Sequence, residues 1–262
     1  MMGTRFESKR ATPRCCRRAA ALAAALLLPL AAAAPALAQT EVDMLLVFAV
    51  DASGSVNQYR FELQKRGYVA ALRNPRVLAA ISGGRTQSIA INMMQWTGPF
   101  LQVPVLPWTV VKDAASLNSA ATIIEQTPRR LFGGGTSISG AIDYSMGLFP
   151  QSPYKAERRV IDVSGDGSNN AGRAVTRARD EAVGKEVTIN GLPILAFEPY
   201  LDQYFKDFVI GGPGAFMVVA KDFESFGEAI LKKMIVEIAA NDGPAPASSR
   251  QTMNEPGAAS KP

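Results

Sequence analysis

The sequence contains no histidine. That absence removes the Ser-His-Asp and Cys-His hydrolases and every zinc site that needs imidazole. The two cysteines, Cys15 and Cys16, lie close to the start. A chain beginning after them has no disulfide, no thiol nucleophile and no thiolate ligand. Any chemistry is left to carboxylates, hydroxyls, Lys, Arg, Tyr or a hard metal ion. The Ala- and Leu-rich stretch from Ala19 to about Leu30 is short for a membrane span and is interrupted by Pro29.

That stretch has the layout of an export signal. Arg5, Lys9, Arg10, Arg14, Arg17 and Arg18 form a basic start, the apolar run follows, and Ala36-Leu37-Ala38 supplies small residues for cleavage. Residues 1–38 are therefore expected to be a signal peptide, with Gln39 opening a periplasmic or secreted chain that has no membrane span. The whole sequence has 28 basic and 23 acidic residues, but six of the former and only Glu7 of the latter precede residue 39, leaving 22 of each. The basicity thus sits in the leader, and nucleic acid is not an expected partner. Without cysteine the domain must be held by its core, and about 200 residues are ample for one. From Asn241 the composition turns to Pro, Ala, Ser and Gly without apolar periodicity, so residues 241–262 are expected to be a disordered tail.

Residues 39–240 read as one domain. DMLLVFAV over 43–50 is an almost unbroken apolar run, as in a strand buried on both faces. Helical spacing follows over about 58–73 and ends at Asn74-Pro75. A second strand is expected over 87–96. An edge strand is expected over 100–110, where Pro104 and Pro107 break the run. Asp113 can cap a helix reaching about Gln126. Further elements are a helix over 137–148, a strand over 159–164, a polar helix over 174–183, a strand over 187–197, a short strand over 216–220 and an amphipathic helix over 223–238. The alternation of strand and helix gives an α/β fold, an open sheet with helices on both faces. Ligands in such sheets bind at the carboxyl ends of the strands.

Three polar loops fall at that end: Asp51-Ala52-Ser53-Gly54-Ser55, Gly134-Gly135-Thr136-Ser137 and Gly165-Asp166-Gly167. In extended backbone, residues two apart point the same way, so Asp51, Ser53 and Ser55 can converge. With Thr136 and Asp166 they offer oxygen ligands only, which suits Mg2+ or Mn2+, with Ca2+ also possible. A remaining position would go to water or to a carboxylate from another molecule.

Asp51-x-Ser53-x-Ser55, Thr136 in a Gly-rich loop and Asp166 in a Gly-Asp-Gly turn, in that order, resemble the metal-ion-dependent adhesion site of von Willebrand factor A domains. The match spans about residues 42–239. The segments VIDVSGDGSNN, TINGLPI and VIGGPGAF also look like a narrower bacterial family of secreted A-domain proteins of unassigned function. The resemblance implies a Rossmann-like, mostly parallel sheet and a divalent metal bridging to an acidic residue of an unidentified protein partner. It implies Asp51, Ser53, Ser55 and Thr136 as direct or near-direct ligands, with Asp166 often acting through water. One departure stands out: the third loop usually reads Thr-Asp-Gly, and Gly165 lacks the hydroxyl that could orient such a water.

Plainer readings compete. Asp51 and its serines could merely cap the next helix. The triple glycine lacks the following Gly-Lys-Ser/Thr of a phosphate loop. Asp166, Ser168 and Asn170 begin like an EF-hand, but Ala171 and Arg177 stand where Gly and Glu are needed. Ser152-Pro153-Tyr154-Lys155 matches S-x-x-K without its companion sequences and is expected to be a surface loop. Asp162 lies inside a strand, where Arg158 or Arg159 could pair with it. Met93, Met94 and Trp96 are expected in the core, and Arg173, Arg177 and Arg179 on a solvated helix face. Functionally, a non-enzymatic binding domain is the leading expectation. A domain with a vestigial metal site is one alternative. A metal-assisted phosphohydrolase with Asp51 as nucleophile is another, but Ser53 occupies the place where a second carboxylate would be wanted.

Overall fold

The computed structural model describes residues 39–131 and 133–240; the expected signal peptide and tail lie outside them. The elements, in chain order, are β1 (Thr40–Glu41), β2 (Met44–Asp51), α1 (Gln58–Leu72), α2 (Pro75–Ser82), β3 (Ile89–Trp96), β4 (Gln102–Val111), α3 (Ala114–Gln126), α4 (Ile138–Leu148), β5 (Tyr154–Lys155), β6 (Arg158–Gly165), α5 (Val175–Val183), β7 (Val187–Pro193), α6 (Leu201–Tyr204) and α7 (Phe226–Ala239). A five-stranded sheet runs β4-β3-β2-β6-β7, parallel except for β4, which is antiparallel to β3. A two-stranded ribbon, β1-β5, lies apart from it.

Side-chain alternation along the strands builds two cores. On β2, Met44, Leu46, Phe48 and Val50 face one helix layer, and Leu45, Val47 and Ala49 the other. The first layer is α1, α2, α3 and α7, where the Tyr68 ring meets Phe48 edge-on (5.2 Å) and Phe226 at a tilt (5.5 Å). The second contains α4, α5 and α6. All eight residues of β2 and of β3 are buried, which is why their sequences read as continuous apolar runs. Met93, Met94 and Trp96 are core residues. No helix among the described residues is long and apolar enough to cross a membrane.

The structure departs from the sequence expectations in a few places. A helix, α2, follows Asn74, whose side chain accepts from the Arg76 N–H while Pro75 takes the first helical turn; this is a start signal rather than only a stop. Residues 216–220 make isolated bridges, Gly191 with Met217 and Ile194 with Ala220, instead of a strand. β7 ends at Pro193, and beyond it the Ile194 N–H still donates to the Gly165 carbonyl while Ile194 bridges Ala220. α6 and the π-helical turn Phe205–Val209 were not expected. Ser152 is buried, and Tyr154 and Lys155 form β5, so that segment is only partly a loop. Asp162 pairs with Lys233 of α7 at 2.8 Å, not with an arginine. Arg158 instead donates to the Glu237 carbonyl and Arg159 to that of Lys185. Arg173 bridges Asp143 and Glu181 across α4 and α5.

Candidate functional site

The first strand in the main sheet, β2, has β3 on one side and β6 on the other, so chain order reverses beside it. Val50 pairs with Ser164, which brings the loops after β2 and β6 side by side at the carboxyl edge, where such a reversal opens a crevice. Asp51 is the last residue of β2 and is fully buried. Its Oδ1 accepts the Ser53 N–H at 2.7 Å, while its Oδ2 has no hydrogen-bond partner among the described residues. Ser53 Oγ and Ser55 Oγ are 3.2 Å apart, and Ser55 Oγ donates to Asp166 Oδ1 at 2.7 Å. Asp166 Oδ2 is likewise buried and without a partner among the described residues. The structure thus strings Asp51, Ser53, Ser55 and Asp166 together, with one unmatched carboxylate oxygen at each end.

The Gly-rich loop closes over this chain. Gly133 and Gly134 adopt φ of +94° and +92°, a region that favours glycine. Thr97 Oγ donates to the carbonyls of Gly133 and Gly135. Thr136 is held by Asn170, which accepts its N–H at 2.8 Å and donates its own backbone N–H to the Thr136 carbonyl. A Cβ on Gly167 would stand 3.7 Å from Thr136 Oγ1, so Thr136 borders the Asp166 turn. The following helix, α4, is capped by Ser137. Capping does not account for the first loop, because Asn57 is the residue that caps α1.

Two buried carboxyls so close repel and lose hydration. Burial first, and the Asp166 charge second, push the Asp51 carboxyl from 3.8 to about 7, against the stabilising Ser53 N–H. Burial also raises Asp166, partly offset by the Ser55 hydroxyl. Positive charge stands nearby. Buried Arg129 donates to the carbonyls of Ala52 and Ser53, and Arg60 donates to that of Ser55. The Arg60 guanidinium lies 4.4 Å from the Phe197 ring centroid. Glu198 accepts the Ser168 N–H. Arg60, Arg129 and Glu198 escaped the sequence reading because they sit at no periodic distance from the ligand-like residues, and Asn170, read there only as part of an EF-hand-like run, is the residue that holds the Thr136 loop. Among the described residues no group of three or more acidic, His or Cys side chains could hold a metal, so a cation here would rest on two carboxylates plus hydroxyls.

Gly165 has a steric reason. A Cβ there would lie 3.0 Å from Asp51 Oδ2 and 3.4 Å from the Trp96 ring. Restoring the commoner residue by Gly165→Thr should therefore weaken Mg2+ binding, roughly tenfold or more for an overpacking strain of about 1–3 kcal/mol. Titration calorimetry of the variant checks this; tighter binding would mean that the threonine hydroxyl outweighs the crowding.

The family described as "Protein of unknown function (DUF1194)" matches residues 41–242. No curated protein matches. Among solved structures, proximal thread matrix protein 1 from the mussel byssus superposes with a TM-score of 0.57 at 15% identity, covering 77% of this chain and 49% of that one. The same mussel protein with a zinc-occupied MIDAS motif gives 0.54 at 14% identity, covering 77% and 49%. A von Willebrand factor type A protein from Catenulispora acidiphila gives 0.53 at 15% identity, covering 76% and 43%. The chain spans about half or less of the length of these structures. Its fold is that of a von Willebrand factor A domain.

Proposed function

The chain belongs to the DUF1194 family, and on that footing we propose that it is an exported binding domain that holds a divalent cation and, through it, an acidic group of a protein partner. The observation that carries this reading is the pair of buried, unmatched oxygens, Asp51 Oδ2 and Asp166 Oδ2, on carboxylates linked through the Ser53 N–H and the Ser53 and Ser55 hydroxyls. Unsatisfied buried carboxylate oxygens are costly, and a hard cation is the group that this donor set suits. Asp51, Ser53, Ser55, Thr136 and Asp166 would hold the ion. Bound there, it would act as a Lewis acid toward an incoming carboxylate.

The chain's own residues do the rest. Arg129 fixes the backbone of the first loop, Asn170 fixes that of the second, and burial keeps bulk water from the Asp51 carboxyl. Phe100, in the turn after β3, and Tyr200, two residues beyond Glu198, are 93% and 83% exposed. No proton carrier is required, in keeping with the lack of histidine. Mg2+ is the first expectation, with Mn2+ and Ca2+ behind it; zinc joins the comparison because the mussel protein holds it in a MIDAS motif.

The test is calorimetric titration of the purified protein with Mg2+, Mn2+, Ca2+ and Zn2+, beside Asp51→Ala. We expect saturable one-site binding that the substitution abolishes. The absence of binding by all four ions would leave the vestigial-site reading in its place. For the partner half, capture from a periplasmic extract should be lost both with chelator and with Asp51→Ala.

A further inference from the structure

Between β6 and α7, outside the set of residues at the carboxyl edge, lies a second buried charged group. Lys233, Asp162 and Glu237 are each fully or almost fully buried. Lys233 Nζ is 2.8 Å from Asp162 Oδ1 and donates to both Glu237 oxygens at 3.3 Å. Glu237 is one helical turn from Lys233, and Asn190 of β7 donates to its Oε1 at 2.7 Å. The Phe216 ring centroid is 5.2 Å from the lysine nitrogen. Despite the 2.8 Å approach, neither Asp162 oxygen has a partner in hydrogen-bond geometry among the described residues. The lysine nitrogen is thus pressed against a carboxyl group that it does not satisfy.

From this we infer that Lys233 and Asp162 form an intramolecular amide cross-link, with Glu237 carrying the proton. Burial of an ion pair without good hydrogen bonds is expensive, and in a dry site the proton shifts readily from ammonium to carboxylate, giving the two neutral groups that condense. The Nζ lone pair then forms a bond to Cγ of Asp162. One nitrogen proton passes to Glu237 and on to the departing hydroxyl, and one water leaves. A secondary amide remains, and nothing is oxidised or reduced. Holding amine and acid in contact supplies the proximity that the uncatalysed reaction lacks. The product removes a charge of each sign from the interior and ties the C-terminal helix covalently to a central strand.

Mass spectrometry of the purified, denatured native protein decides the matter. The expected result is an intact mass one water below that of the processed sequence. Tryptic digestion should then give a branched peptide joining the segments that carry Asp162 and Lys233. A full intact mass, with Lys233 recovered in a linear peptide, overturns the proposal. Glu237→Gln, nearly isosteric, should restore the full mass; a cross-link persisting in that variant would overturn the proton-carrying role. The native measurement stands by itself should a variant fail to fold.

Discussion

Magnesium should raise the melting temperature of this protein strongly at pH 8 and only weakly at pH 5.5. The Asp51 carboxyl, pushed up to about 7 in the folded chain from 3.8, binds its proton more tightly folded than unfolded. Its contribution to stability is therefore fully present below the unfolded value and is lost as pH rises through the folded one. The gap amounts to about 4 kcal/mol as an upper bound. At pH 8 the carboxylate is ionised and a cation meets no competing proton. At pH 5.5 the cation must displace that proton, and affinity falls about tenfold for each unit below the folded value. A ligand at 100 times its Kd adds about 2.7 kcal/mol, roughly 5–10 °C for a domain of this size. Asp51→Asn makes the complementary point. Lacking the buried charge, it should melt higher than the metal-free native protein at pH 8 and show no response to Mg2+. Thermal melts at both pH values, with Mg2+ or chelator, test the set. Equal shifts at the two pH values would remove Asp51 from the site.

Lys233→Met should be the most damaging single substitution away from that site. It leaves Asp162 and Glu237 buried without their cation, a change worth about 3–5 kcal/mol in comparable buried pairs and roughly 10 °C or more in melting temperature. The loss should be greatest at pH 8. Before any condensation with Lys233, burial pushes the Asp162 carboxyl to about 7, with the lysine opposing it and Glu237 adding to it. Without the lysine that carboxyl is raised further, so acid neutralises it and the variant should regain stability as pH falls towards 5. Tyr68, whose hydroxyl burial and Asp162 push upward, stays neutral throughout this range. Circular-dichroism melts at pH 5 and pH 8 compare the two states. Equal damage at both would trace the loss to packing, or to the missing cross-link alone, rather than to stranded charge.

The parts of this molecule that were legible in its sequence are those whose signal is local. β2 and β3 announce themselves because both faces of each are buried, and β4 because Pro104 and Pro107 suit only an edge. Asp51, Ser53 and Ser55 are legible as a close-set polar group, but a turn over residues 53–56, closed by the Val56 N–H on the Ser53 carbonyl, brings them together rather than the extended alternation expected of them. What escaped depends on distant chain. Asp162 took an arginine as its expected partner because Lys233 reaches it only once α7 has docked. Residues 216–220 have the composition of a strand, yet they bridge β7 at single points. The π turn after α6 has no periodic signature at all. Nor does Arg129, which supports the first loop from the far end of α3.

The two margins of the main sheet carry a consequence for assembly. At one, Pro104 sits opposite Met94 and Pro107 falls where the register between β3 and β4 slips. At the other, β7 is screened piecemeal by Gly211, Met217 and Ala220. Neither border offers the long run of open amides on which another polypeptide could zip itself. Copies of this domain should thus resist growing into fibres through the margins of their sheets.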